Sequence, residues 1–414
     1  MSEASSHDTR IAVCTYSKNA GSTTRAVEIA KAIRDEVVAR GGIFVSTCEN
    51  YESNHEISNS SIFKVTLRFF SHKTPQGEHC YSNLITNAGF HLEFFGFAVE
   101  DDFWKALLAS ERSGGGNFFN SPYQNRPMKH IKSIINAFRD YKPTIILRGL
   151  FPEVSIASHI LNVKSIAFGP LPMSMNWIVK NILSCQQNVG SNIKKSSKTT
   201  NVVTTTSKSS LFKAAVKCGW VPTNSCDESE LYEIMKPNLC LVCDLKSNFL
   251  GTDFFEDSME IKIVGPIFAT FSEERSTVPE YVTSILQSKE SKIFLSMAST
   301  GNERVFIECA NAVCNYIEEE ESFQAIIYAP PDVCHSEKMR QVVSGKLQEK
   351  VVVTDHFLPA TLLLPKVDLF IGHGGQVSAT DYYSFCISMM QALFAKFLTT
   401  NNYFWFKLGE CSSR

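Results

Sequence analysis

The chain of 414 residues has no excess of charge of one sign, because 40 Lys and Arg residues face 42 Asp and Glu residues and leave a net charge of −2. No global field therefore draws it to nucleic acid or to an acidic membrane. The polar N-terminus, MSEASSHDTR, lacks the apolar core of a signal peptide. The 13 cysteines lie in apolar surroundings such as IAVCTY, which is typical of reduced, buried thiols. These features predict a cytoplasmic protein with no nucleic-acid partner.

Strand-like and helix-like segments alternate in the last third of the chain. Apolar runs at 292–296, 323–329 and 367–372 are typical of buried strands, and segments 303–321 and 336–347 have helical spacing. Alternation with short connections predicts a parallel sheet covered on both faces. Ligands of such sheets bind beyond the carboxyl ends of the strands, where loops lead into helices.

The sequence FIGHGGQVSATDYY lies at such a strand end. Gly374 and Gly375 would let an anion approach backbone N–H groups at a helix N-terminus, where the helix dipole favours phosphate. His373 and Ser378 would add donors, and Asp381 would accept hydrogen bonds from ribose hydroxyls. A ribose diphosphate fits this set, although the spacing alone is equally compatible with a glycine turn and a histidine that caps a strand.

These residues resemble the donor-binding signature of the UDP-glycosyltransferase superfamily with the GT-B fold. Phe357-Leu358-Pro359 is similar to the family's aromatic-x-Pro turn, which stacks on the nucleotide base, and KIFLSMASTGN resembles its first donor-domain loop. VGPIF (264–268) resembles the segment that closes the N-terminal domain. The resemblance implies that the donor nucleotide sugar is bound by Ser299, Gly301, Phe357, His373, Gly374, Gly375, Gln376, Ser378 and Asp381.

The resemblance also implies an α/β chain of two Rossmann-like domains that face a cleft. Residues 1–268 are expected to form the acceptor-side domain, since RIAVCTY and KPTIILRGL are typical strands with helical segments between them. Residues 269–414 are expected to form the donor-binding domain. Residues 186–210, rich in Ser, Thr and Lys, predict a disordered loop.

The catalytic positions depart from the family pattern. Many relatives have a histidine base after the first-loop glycine and an aspartate at a later strand end that orients it. Here Ser22 follows Gly21, and Arg148 ends the strand TIIL where the aspartate is expected. A serine hydroxyl is a poor base without an activating partner. Ser22 occupies the catalytic position, and His72, which follows a strand in FFSHKTP, is the candidate substitute base.

The end of the chain departs from the family as well. Relatives continue through a G-x-P turn and an acid–Gln pair that binds the donor sugar, whereas SFCISMMQALFAKFLTTNNYFWFKLGECSSR has neither. The C-terminal domain is therefore expected to be incomplete. The apolar segment 384–406 suits a core helix better than a membrane span, because it contains Lys396 and two asparagines.

The resemblance implies a glycosyltransferase that moves a hexose from a nucleotide sugar, UDP-linked in the family, to a hydroxyl of a small lipophilic acceptor. The departures predict impaired activity, and the alternative is a non-catalytic paralogue that binds nucleotide sugars. A nucleotide-sugar epimerase on the same fold would need a cluster of acids that the sequence lacks. No separate cofactor and no metal are expected, since no D-x-D pair is present. The sequence allows membrane contact but does not indicate it.

Overall fold

The computed structural model describes fifteen stretches of the chain, separated by gaps. They are residues 8–16, 20–46, 63–73, 81–98, 126–149, 151–169, 209–223, 229–243, 261–267, 278–296, 303–330, 334–343, 347–356, 358 and 360–372. The chain divides into two compact units, Met1–Thr270 and Phe271–Arg414.

The first unit alternates strands and helices, as the spacing of its apolar residues predicts. Its elements in chain order are β1 (Asp8–Cys14), α1 (Ala20–Ala39), β2 (Ile43–Val45), β3 (Lys64–Lys73), α2 (Ser82–Asn87), β4 (Leu92–Ala98), α3 (Arg126–Tyr141), β5 (Ile145–Arg148), α4 (Pro152–Ile160), β6 (Lys164–Gly169), α5 (Ser210–Lys217), α6 (Ser229–Met235), β7 (Leu239–Val242) and β8 (Ile261–Ile263).

All of these strands join one parallel sheet. The order is β2-β3-β1-β5-β6-β7-β8, and β4 pairs with β3. The chain builds β2 to β4 on one side of β1 and then continues with β5 on the other side, so the strand order reverses at β1. In open parallel sheets the ligand-binding edge lies at the carboxyl ends of the strands beside such a reversal.

Helices cover both faces of this sheet. Helix α1 packs on one face, where Ala26, Val27 and Ala30 join a core with Val13 and Leu67. Helices α3 to α6 cover the other face in a core that includes Cys14, Phe70, Ile131, Phe138, Ile146, Val154, Phe212 and Leu231. A side chain at the end of a strand can thus be assigned to the α1 layer or to the α3–α6 layer.

One local feature differs from the sequence prediction, and a second agrees with it although a short motif could suggest otherwise. Helix α5 begins inside the loop predicted over 186–210: Ser209 is buried and its hydroxyl accepts a hydrogen bond from the Phe212 N–H at 3.2 Å. The remainder of that loop lies outside the described residues. Cys240 and Cys243 have C-x-x-C spacing, but both are free thiols. Side chains three positions apart along extended backbone point to opposite faces, and these two belong to different cores.

The second unit has a smaller sheet. Its elements are α7 (Glu280–Gln287), β9 (Ser291–Ser296), α8 (Glu303–Glu319), β10 (Phe323–Tyr328), α9 (Ser336–Val342), β11 (Val351–Thr354), α10 (Ala360–Leu363), a 3-10 turn (Leu364–Lys366) and β12 (Leu369–Gly372). The parallel order is β11-β10-β9-β12, so the strand order reverses at β9.

The register of β12 against β9 is set by a pair of hydrogen bonds at their amino ends. The Asp368 carboxylate accepts from the Lys292 N–H at 2.7 Å, and the Asp368 N–H donates to the Lys292 carbonyl at 2.9 Å. The Lys292 ammonium in turn donates to the carbonyls of Ser288 and Glu290. This network fixes which residues of the two strands emerge together at the carboxyl edge.

Candidate functional site

Ser22 lies at the reversal point of the first sheet, beside the ends of β1 and β5. Its hydroxyl shares a hydrogen bond of 3.3 Å with the Thr15 hydroxyl. A Cβ atom built on Gly149 would lie 2.9 Å from the Ser22 Oγ. The backbone ties these ends together, because the Gly149 N–H donates to the Cys14 carbonyl at 3.3 Å. Ser22 therefore faces Gly149, the residue after Arg148.

Arg148 points into the other layer of the unit. Its side chain is 1% exposed, and it donates to the carbonyl of Met235, the last residue of α6, at 2.7 Å. A longer bond of 3.4 Å reaches the Gly149 carbonyl, and its Nε has no hydrogen-bond partner among the described residues. Burial lowers the pKa of the guanidinium to about 10, and the neighbouring Cys240 and Cys14 act in the opposite direction.

Arg148 and Gly149, at the end of β5, therefore face different layers of the unit. Sequence reasoning set Arg148 at the position of the missing aspartate, but its side chain lies in the α3–α6 core and Gly149 is the residue beside Ser22. Successive side chains along a strand alternate between faces, so an error of one residue changes the layer. The sequence does show that Ile146 and Arg148 are two positions apart and so share one strand face. The structure shows which face this is, since Ile146 belongs to the α3–α6 core.

His72 is packed among aromatic rings near the end of β3. It is 2% exposed, its ring stacks on Tyr16 with centroids 4.1 Å apart, and Phe151 meets it edge-on at 5.5 Å. Phe151 belongs to the α3–α6 core, whereas Ser22 lies in the first turn of α1, the helix on the opposite face. The structure thus places the two candidate catalytic residues in different layers, and the role of His72 as a base stays a prediction.

The predicted donor-binding residues lie outside the described residues, but the strands that lead into them are described. These residues are Ser299, Gly301, Phe357, His373, Gly374, Gly375, Gln376, Ser378 and Asp381. Strand β9 ends at Ser296, three residues before Ser299, and β12 ends at Gly372, directly before His373. Ser296 and Gly372 are register partners, so the two segments start side by side at the reversal point.

Gly372 makes this close pairing possible. A Cβ atom on Gly372 would lie 3.3 Å from the Ser296 carbonyl oxygen and 2.8 Å from the ring of Phe370. That ring packs against Phe294 of the neighbouring strand, with centroids 5.6 Å apart. Any larger residue would push β12 away from β9 or displace the Phe370 ring. The glycine before the His-Gly-Gly sequence therefore has a packing function.

The chain on either side of Phe357 is held by the fold. Thr354 ends β11 fully buried, and its hydroxyl hydrogen-bonds to the Tyr281 hydroxyl at 2.9 Å and accepts from the His356 N–H at 3.0 Å. Leu358, which follows Phe357, is buried in the core beneath α7. These contacts fix the backbone just before and just after the predicted base-binding residue. The segment follows β11, whose end lies at the same edge of the sheet as the ends of β9 and β12.

The described ranges contain neither a metal-binding cluster nor a membrane-spanning helix. No group of three His, Cys, Asp or Glu side chains there is arranged to hold a metal ion. None of the helices in those ranges is long and apolar enough to cross a membrane.

Comparison with known proteins supports the fold. No protein-family model matches the chain, and no similar sequence was found among curated proteins. Among solved structures, the spinosyn forosaminyltransferase SpnP superposes with a TM-score of 0.54 at 13% identity, covering 95% of this chain and 84% of the other.

Two further solved structures agree. A UDP-glucosyltransferase from Polygonum tinctorium gives a TM-score of 0.53 at 10% identity and covers 93% of this chain and 80% of its own. The glycotransferase of kitacinnamycin also gives 0.53, at 13% identity, with 92% and 79% covered. These similarities confirm the predicted α/β fold of GT-B type, with two parallel sheets. At such low identity they show the fold alone.

Proposed function

We propose that the protein is a glycosyltransferase that moves a hexose from a UDP-linked sugar to a hydroxyl of a small lipophilic acceptor. One observation carries the proposal: β9 and β12 end as register partners at the reversal point of the second sheet, at Ser296 and Gly372. The Ser299–Gly301 loop continues from one strand and the His-Gly-Gly sequence from the other. Two glycine-bearing segments that start side by side at a ligand-binding edge suit a diphosphate.

The proposed donor contacts follow from the chemistry of each residue type. Backbone N–H groups of Gly374 and Gly375, the His373 ring and the Ser378 hydroxyl bind the diphosphate as hydrogen-bond donors to charged oxygens. Asp381 accepts from the ribose hydroxyls, and Gln376 lies in the same segment. These hydrogen-bond donors would stabilise the charge of the diphosphate without requiring a metal ion.

Phe357 is proposed to stack on the uracil base. The turn from Thr354 to His356 and the buried Leu358 hold its two ends, as the hydrogen bonds of Thr354 and the core position of Leu358 indicate. A ring whose flanking backbone is already ordered loses less conformational entropy when it stacks on a ligand. Ser299 and Gly301 line the donor from the β9 side.

The acceptor-side residues predict slow transfer. An inverting transfer needs a group that removes the acceptor proton, and general bases contribute about 10²–10⁴ in rate. Ser22 is paired with another hydroxyl, that of Thr15, and Gly149 beside it has no side chain to orient a base. Ser22 remains the candidate contact with the acceptor hydroxyl, with His72 as the alternative base.

The named activities of the structural neighbours are consistent with this proposal. One is a forosaminyltransferase, and another is a UDP-glucosyltransferase that glucosylates indoxyl. The second candidate function, a non-catalytic nucleotide-sugar-binding protein, is favoured by the glycine at position 149.

The test separates binding from transfer. Purified protein is titrated with UDP and with a panel of UDP-sugars, and the labelled sugars are then incubated with lipophilic phenols and alcohols in the presence and absence of EDTA. We expect UDP binding, slow formation of glycoside and no effect of EDTA. Binding without any glycoside over the whole panel would favour the non-catalytic candidate, and absence of binding would overturn both.

A further inference from the structure

Helix α3 presents a stripe of basic residues to solvent. Lys129, Lys132 and Arg139 are exposed and spaced at i, i+3 and i+10, with the exposed Asn136 between them. This spacing places them on one side of the helix. The opposite side, with Ile131, Ile134, Ile135 and Phe138, is buried in the core.

Helix α5 continues this basic surface. Lys213 and Lys217 are exposed and one turn apart, while Leu211, Phe212, Ala214 and Ala215 are buried in the same core as α3. The end of α5 meets the start of α3, since the Cys218 thiol lies 3.7 Å from the Met128 carbonyl. Lys132 lies one helical turn after Met128 on α3, near this end of α5.

The charges of this α3–α5 face are not neutralised by acids in the described part of the chain. No ion pair in that part of the chain includes the basic side chains of this face, which are Lys129, Lys132, Arg139, Lys213 and Lys217. Basic residues in or directly after other helices, in contrast, often pair with an acid three or four positions away in the sequence. Two acids lie at the margins: Asp140 near the end of α3, and Glu230, which accepts from the Thr223 N–H. The face is therefore strongly positive although the chain as a whole has a net charge of −2.

Exposed apolar side chains accompany these charges. Val216 lies between the two lysines of α5 and is 40% exposed, and Val221, just beyond the helix, is 85% exposed. Trp220, between them, is buried against Phe212 and holds the turn that presents Val221. Cations alone would suit nucleic acid or an acidic protein, but aliphatic groups at the same face suit the boundary between lipid headgroups and acyl chains.

We propose that the α3–α5 face docks the protein on the surface of a membrane that contains anionic lipid. Lys129, Lys132, Lys213 and Lys217 contact the acidic headgroups, and Val216 and Val221 enter the headgroup–acyl boundary. The attraction is peripheral and electrostatic, and it weakens as salt screens the surface charge.

The test uses the full chain and sucrose-loaded vesicles of phosphatidylcholine, with and without phosphatidylserine. We expect sedimentation with the anionic vesicles and not with the neutral ones, and release as salt is added. Each lysine near an acidic surface strengthens partitioning about fivefold, so Lys213→Gln/Lys217→Gln should weaken it about 30-fold. Val221→Asn should also weaken binding while leaving its salt dependence unchanged.

The matched control is Lys289→Gln/Lys366→Gln, which removes two exposed lysines from the second unit and should bind as the wild type does. Circular dichroism verifies that every variant is folded. Equal loss of binding in the control would show that only net charge matters and would overturn the proposal. Equal binding to neutral vesicles, or binding to single-stranded nucleic acid without binding to anionic vesicles, would overturn it as well.

Discussion

An aspartate at position 149, but not at 148, should assist a histidine base at position 22. The two double variants are Ser22→His/Gly149→Asp and Ser22→His/Arg148→Asp. Position 149 lies against residue 22, as a Cβ there would be 2.9 Å from the Ser22 Oγ, and the next contact is Phe168 at 3.8 Å. The nearest atom belongs to the side chain of residue 22, which can rotate away, so a carboxylate at position 149 can be accommodated there and can orient the imidazole of the histidine at position 22. The rate of sugar transfer should therefore rise by about 10²–10⁴ over the wild type.

The variant at position 148 should instead lose stability. It removes the guanidinium that donates to the Met235 carbonyl at 2.7 Å and leaves a carboxylate in a fully buried site that faces carbonyl oxygens. An unpaired buried charge costs about 3–5 kcal/mol. Initial rates of glycoside formation and urea unfolding are measured for both variants and for Ser22→His alone. Faster transfer in the variant at 148 and none at 149 would refute the assignment of Gly149 to the site.

Three further outcomes follow from the described contacts. Arg148→Met should change the free energy of unfolding by less than about 1 kcal/mol, because replacing a buried charge by an apolar side chain of similar size removes the cost of burying the charge together with its hydrogen bonds. A loss above about 3 kcal/mol in urea would contradict this. Ser209→Ala should lower the free energy of unfolding by about 1 kcal/mol, because it removes the hydroxyl that caps α5, and an unchanged urea midpoint would contradict this. Burial raises the pKa of Cys240 and Cys309 from 9.0 to about 11 in the folded chain. Because the unfolded chain loses these protons at lower pH, the free energy of unfolding should be constant below pH 9 and fall as the pH rises towards about 11. A urea midpoint that rises over this range would contradict this.

The parallel sheets were predictable from the sequence because their strands are short apolar runs. Ile293 to Leu295 and Leu369 to Ile371 are nearly all buried, and helices such as α8 separate them with clear helical spacing. Burial on both faces produces continuous apolar strands, which remain recognisable without any structural knowledge. The resemblance added the expectation that the segments after two of these strands bind one donor, which periodicity does not give, and the pairing of the two strand ends came from the structure.

The acceptor side was less predictable because it depends on the direction of single side chains. Arg148 and Gly149 are adjacent in sequence, yet one donates to α6 in the α3–α6 core and the other faces Ser22. Likewise, Ser209 lies in a polar stretch but is buried as a helix cap. The basic α3–α5 face also required tertiary structure, since its lysines come from helices about eighty residues apart in a chain with balanced overall charge.

Calorimetric titration of UDP into the wild type and into His373→Ala tests the central claim that the second unit binds a nucleotide sugar through the segment after β12. The matched control is His335→Ala, an exposed histidine of the same unit at the start of α9. Loss of a hydrogen bond to a charged phosphate should cost about 1–3 kcal/mol in His373→Ala, a weakening of about 5-fold to 150-fold, with the control unchanged. Equal UDP affinity in the wild type and His373→Ala, or no UDP binding by the wild type, would contradict the account.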